Sequence, residues 1–326
     1  MNGSDMPSHH GIEYHPERDY PNETMRLLFE RGSCRSFSDR KIPAEVIRMV
    51  LGAGTHAPTG GNLQPYSIIK IEDEASRQWF VEMAGQSFIG EAPVLLLFSI
   101  DWRRVERWAE LEVAPFTATS SFRHFWISFQ DAIICTQNIC TAADALGLGS
   151  CYIGTVLEFF PELREKFQLP KGVFPVVLLC LGYPEEKVLP HKKLGVDVIV
   201  HNEKYCELGD KELLDVYDTK YSGPDSRRVE ITEERLRTIS KVCEKVHGEE
   251  FARKCIERIK ENGFISTVQR YFGLHYRADS MPEGNIEYLR LMEDSGFDWF
   301  KEYRFVGKKG LQIRLSEENT SMRESH

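Results

Sequence analysis

Apolar and polar positions fall into three distinct patterns along the chain. The first is a stretch over 125–147 in which Asp131 and Asp144 are the only charged residues. Phe125, Trp126, Phe129, Ile133, Ile134, Ile139, Ala142, Ala143 and Leu146 fill almost every direction of a helical wheel, which predicts a buried central helix on the order of 35 Å long. Gln130, Asp131, Gln137, Asn138 and Asp144 make it too polar to cross a bilayer. Gly147 is a natural left-handed stop, and a short extended piece over 150–154 follows it.

The second pattern is the continuous apolar run. The segments 93–100 (PVLLLFSI) and 173–182 (VFPVVLLCLG) predict buried strands, and 66–71 (YSIIKI) predicts a third. Between them, 24–31, 43–54, 74–84 and 160–167 read as helices, with Pro43 in the first turn of its helix. Residues 101–115 read as an amphipathic insertion, and 196–200 as an edge strand.

The third pattern begins near residue 202, where charged helices take over. Residues 210–220 form one. In 231–262 the apolar positions Leu236, Ile239, Val242, Cys243 and Val246, then Phe251, Cys255, Ile256 and Ile259, give one face to each half, with a break at Gly248 and a stop at Gly263. Residues 264–305 mix short helices, turns and many aromatics, and from about 308 the chain is polar. The expected division is a flexible segment over 1–21, one domain over 22–201 and a helical extension over 202–326.

Composition narrows the function. A formal net charge of -9 gives nucleic-acid binding no electrostatic support. The polar N-terminal stretch has no apolar signal-peptide core, and no segment is apolar enough to span a membrane. Eight cysteines without a Cys-x-x-Cys read as reduced thiols packed as small hydrophobes, so a cytoplasmic location is expected. There is no dinucleotide fingerprint, P-loop or nucleophile elbow, and no metal-ligand spacing. Cys243 and His247 at i and i+4 read as packing residues.

Two stretches carry candidate chemistry. In RGSCRSF, alternate residues Arg31, Ser33 and Arg35 share one face of an extended segment, which suits a phosphate as well as a solvated basic turn. APTGGNLQPY, over 57–66, is a loop rich in backbone donors and amide side chains; it suits a ring with mixed donor and acceptor edges, or serves as a connecting turn.

These motifs, in this order, with the helix ending GLGSCYIG and a basic residue after the last apolar strand, resemble the nitroreductase family of flavin enzymes over about 24–200. The resemblance implies an α+β fold: a mixed or antiparallel sheet flanked by helices around a long buried central helix, with a helical C-terminal extension outside the minimal family pattern. It implies FMN bound between two subunits of a homodimer. Carried over by position, Arg31, Ser33, Arg35 and Lys193 would hold the FMN phosphate. Pro58, Thr59, Gly60, Asn62 and Gln64 would form the loop that reaches the flavin from the partner subunit. Ile153 and Gly154 would lie over the ring, where backbone N–H meets N5, and Gln86 would contact the ribityl chain. Thr59-Gly60 replaces the serine pair of many relatives, and Ile153 the Glu of some.

The implied activity is ping-pong electron transfer from NADH or NADPH to a small organic acceptor, a nitroaromatic or quinone, on the flavin itself. No catalytic side chain and no metal is expected, and neither nucleic acid nor a membrane is a partner. A reductive dehalogenase, a flavin oxidase of the same fold and a non-catalytic flavin sensor or carrier are the alternatives.

Overall fold

In the computed structural model of the chain, residues 20–303 and 305 are described; the expectations for residues 1–19 and for the polar segment beyond 308 lie outside them. In chain order, α1 (Glu23–Glu30) and α2 (Ala44–Thr55) precede β1 (Tyr66–Ile71). Helices α3 (Glu74–Ala84) and α4 (Phe88–Glu91) lead to β2 (Val94–Asp101), then α5 (Arg103–Leu111) and the central α6 (Phe122–Ala145). Strand β3 (Gly149–Ile153), α7 (Phe160–Lys166) and β4 (Val173–Gly182) follow. Beyond them come α8 (Val196–Ile199), α9 (Asp210–Lys220), α10 (Glu233–His247), α11 (Glu249–Asn262), α12 (Thr267–Arg270) and α13 (Asn285–Asp294).

The chain divides into two compact units. Of the described residues, one contains Arg31–Val188 and those from Ile286 on; the other contains Tyr20–Glu30 together with Leu189–Asn285.

The first unit is built on a four-stranded antiparallel sheet in the order β1-β2-β4-β3. Every residue of β2 and β4 is buried, because both faces of the sheet are covered, as their continuous apolar runs require. Leu96, Phe98 and Ile100 face one core with α2 and α6, while Leu95 and Leu97 face a second core with Phe80, Phe159 and Leu163. Pro175 is tolerated in an inner strand because the register slips beside it, between Phe98 and Ser99. Residues far down the chain close this core. Phe297 is fully buried against Phe125 and Phe174, and Gly172 N–H donates to Ser295 O at 2.8 Å. Residues 286–299, grouped with the extension on sequence alone, thus pack in the sheet unit.

Helix α6 starts on a Ser121 cap, and Gly147 past its end is left-handed (φ 74°). It is not buried all round. One stripe, Phe122, Trp126 and Phe129, lies exposed, with half-buried Ile133 continuing it at helical spacing. The wheel shows where apolar residues point; it does not show which neighbour covers them.

The second unit is smaller-cored. Ile239, Ile259 and Ile265 form its buried centre, with Leu236, Cys243, Cys255 and Ile256 packed against them. The break at Gly248 (φ 89°) and the stop at Gly263 (φ 73°) stand where the pattern put them. The edge strand expected over 196–200 is instead the helical turn α8, closed by Val200 N–H on Val196 O at 2.8 Å. Valine favours strands only where a pleated neighbour receives it, and no described strand pairs with this segment.

Candidate functional site

The segment after α1 runs along β3. Ser33 bridges to Ser150 in parallel, and Cys34 N–H donates to Ser150 O at 2.9 Å. This turns the Cys34 side chain into the core and leaves Ser33 and Arg35 exposed, the alternation expected of an extended segment. Gly149 permits the approach: a Cβ there would stand 2.6 Å from Cys34 Cβ. Arg31 is braced differently. Its Nε donates to Asp144 Oδ2 at 3.1 Å and its Nη2 to Ser150 Oγ at 3.3 Å. Burial raises the Asp144 carboxyl above its ordinary value even with this guanidinium beside it. Ser33 and Arg35 therefore point outward together, and Arg31 fixes their segment to the end of α6.

At the other end of β3, the Ile153 side chain is buried while Gly154 is exposed, with open space where a Cβ would be. Only backbone is presented there. Gln86 Nε2 donates to Thr155 Oγ1 at 3.2 Å, so Gln86 does stand beside this segment. From Ser150 to Gly154 an extended chain spans roughly 13 Å.

The 57–66 loop contains one turn of tight helix, Gly60–Asn62, not foreseen in the sequence. Gly61, Asn62 and Gln64 are all left-handed, with φ of 62°, 55° and 49°. Asn tolerates this conformation; Gln does so at a cost. Pro58, Gly60 and Asn62 are exposed and Thr59 is half-buried. Gln64 spends its amide locally, donating to Thr55 O at the end of α2 at 2.9 Å and to Tyr66 Oη at 3.3 Å. Lys193 is exposed and belongs to the other compact unit.

Three residues that support this arrangement were not singled out in the sequence. Asp131 accepts Gly60 N–H at 3.1 and 3.2 Å through its two oxygens. Asp144 holds Arg31, and Arg104 donates to Gln64 O at 2.5 Å and Tyr66 O at 2.9 Å. For the two aspartates a signal existed, as the only charged residues over 125–147. For Arg104, one of many charged residues in its insertion, there was none.

Along α6, the Arg31 anchor at Asp144 and the loop anchor at Asp131 are thirteen positions apart, roughly 20 Å of rise and about 140° of rotation. The two groups thus address different sides of one helix.

Burial pushes the thiols of Cys34, Cys135, Cys140, Cys151 and Cys180 up, away from thiolate, and pushes the Tyr66 phenol up to about 12. Among the described residues no cluster of His, Cys, Asp and Glu could hold a metal, and no helix is long and apolar enough to cross a membrane.

Residues 28–183 match the Nitroreductase family. An FMN reductase [NAD(P)H] of Bacillus subtilis (strain 168) is 31% identical over 219 residues, covering 66% of this chain and 87% of that protein. The chain belongs to the nitroreductase family. Within it, the oxygen-insensitive NADPH nitroreductase of Salmonella typhimurium is 29% identical over 67% of this chain and 91% of its own length. Among solved structures, the NADPH:FMN oxidoreductase of Vibrio harveyi complexed with NAD+ matches with a TM-score of 0.57 at 28% identity, over 61% of this chain and 84% of that one. As a nitroreductase, the chain is an oxidoreductase on an α+β scaffold, and the antiparallel sheet is the form the scaffold takes here.

Proposed function

We propose that this nitroreductase is an FMN-dependent enzyme that takes reducing equivalents from NADH or NADPH and passes them to a small organic acceptor, a nitroaromatic or quinone, in ping-pong order. The residues present fit FMN. An exposed guanidinium and hydroxyl at one end of β3 suit a terminal phosphate, and bare backbone at its other end, roughly 13 Å away, suits a flat ring. The relatives' names, with their FMN and nicotinamides, support the same cofactor and reductants.

When bound, FMN supplies the two-electron chemistry by accepting hydride and giving it up. This chain's residues bind and orient. Ser33 and Arg35 hold the phosphate, and Arg31 keeps that segment rigid. Ile153 and Gly154 offer backbone groups to the ring. Pro58, Thr59, Gly60, Asn62 and Gln64 supply the opposite wall. Because Gly154 leaves its surroundings open, donor and acceptor would use one place in turn, which is what ping-pong order requires.

The observation that carries this reading is the split across α6. Phosphate-side and loop residues face different sides of one helix, and a second copy would bring the loop to the other's phosphate side. The exposed Phe122, Trp126 and Phe129 stripe is the kind of surface a homodimer covers. Mass analysis of the released cofactor tests the reading directly. FMN is expected; FAD, or no flavin at saturating FMN, overturns it.

A further inference from the structure

Asp131 is 4% exposed in the middle of a largely apolar helix. A carboxylate there loses its hydration, and burial does raise its pKa, with the Gly60 N–H opposing. The hydrogen bond it receives comes from outside the helix: Gly60 N–H, within reach of both oxygens. Helix and loop are docked as closely as glycine allows, since a Cβ on Gly60 would stand 2.8 Å from Ile127 Cγ2. Farther along the loop, the carbonyls of Gln64 and Tyr66 accept from Arg104. Within the loop, Gln64 N–H donates to Thr59 Oγ1 at 3.3 Å and Asn62 N–H to Thr59 O at 3.1 Å. The segment is thus pinned at both ends to α6 and α5, and between the pins Gly61, Asn62 and Leu63 stand exposed on a backbone that is left-handed at Gly61, Asn62 and Gln64. A left-handed glutamine and asparagine persist where the surroundings over-determine them.

We infer that Asp131 is a positioning residue, holding the 57–66 loop in its left-handed course through Gly60 N–H, with Arg104 as the second pin. Its role toward a ligand rests on the reading of this loop as a wall of the flavin site. Asp131 does not touch the reacting atoms; it fixes the backbone that does the presenting.

Amide hydrogen exchange on the full chain without FMN tests the pin independently of catalysis. Asp131→Ala is expected to raise exchange in peptides over 57–65 on the order of tenfold, the loss of one buried hydrogen bond. Asp131→Asn, whose carboxamide oxygen still accepts, is expected to restore most of the protection. Ser128→Ala, buried on the same helix and bonded to Trp102 Nε1, is the control and should leave the loop unchanged. Unchanged loop exchange in Asp131→Ala, or a uniform rise that includes β2 and β4, overturns the inference. FMN titration of the same proteins separates the two readings. A parallel loss of affinity supports both. A local rise in exchange with unaltered FMN affinity keeps the pin and overturns the loop's role at the flavin.

Discussion

The two compact units bury their apolar residues in different ways. In the sheet unit, β2 and β4 are buried along their whole length and the unit's two sequence stretches meet at Phe297. In the helical unit the fully enclosed centre is three isoleucines, while Val246, Phe251, Val268, Tyr271, Phe272 and Tyr276 remain exposed. A core built from long-range contacts yields a rigid platform. A helical hairpin with a thin core has local pattern without much tertiary reinforcement. Residues that must be held to a fraction of an ångström belong on the first kind of scaffold, and the proposed site residues Arg31, Ser33, Arg35, the 57–66 loop, Ile153 and Gly154 all stand on it.

The contrast breaks most visibly at Phe297. Phe297→Ala should cost about 3–5 kcal/mol of unfolding free energy by removing a fully enclosed ring, read in urea from the sheet unit's signal. Ile259→Ala should cost about 2–5 kcal/mol, but its effect should appear in exchange of α10 and α11 and not in β2 or β4. If Phe297→Ala leaves the sheet unit's stability unaltered, residues 286–299 are not part of its core.

The phosphate side sharpens the comparison at smaller scale. Arg35→Ala should weaken FMN binding by about 1.5–3 kcal/mol, the worth of a charge-assisted contact. Lys193→Ala should cost less, because lysine is a point charge and arginine a planar fork. Titration of apoprotein with FMN ranks them, and a reversed order would contradict Arg35 as the main grip on the phosphate.

How much of this was readable in advance follows the same division. Strands β1, β2 and β4, helices α3, α7 and α9, and the breaks at Gly147, Gly248 and Gly263 were legible because each is written locally, in a run, a period or a glycine. Residues 196–200 were misread because valines speak of strand propensity without naming a partner. The membership of 286–299 in the sheet unit rests on contacts more than 100 residues away in sequence, which no local pattern encodes. At the site, the R-x-S-x-R alternation was legible, whereas the diversion of Arg31 to Asp144 depends on where α6 ends in space. The left-handed run at Gly61, Asn62 and Gln64 is set by Asp131 and Arg104, neither adjacent in sequence.

The smallest expected effect is pH-dependent. Burial holds the folded Asp131 carboxyl above its ordinary value, so the folded state binds that proton more tightly. Its contribution is therefore favourable at low pH and is lost as pH rises from the ordinary aspartate range through the raised folded value. Asp131→Asn lacks this slope, so its stability relative to the parent should improve as pH rises through that window. A gap independent of pH would mean that Asp131 is not held above its ordinary value.

The central claim is that each flavin site takes its phosphate side from one chain and its loop from the other. Mixed dimers test it most directly. One chain carries Ser33→Ala with Arg35→Ala, the other Gly60→Val, and the purified heterodimer is titrated with FMN. Shared sites require one intact and one doubly damaged site, so half the sites should bind with parental affinity. If both sites in the mixed dimer are weak, each site is built from a single chain and the claim is contradicted.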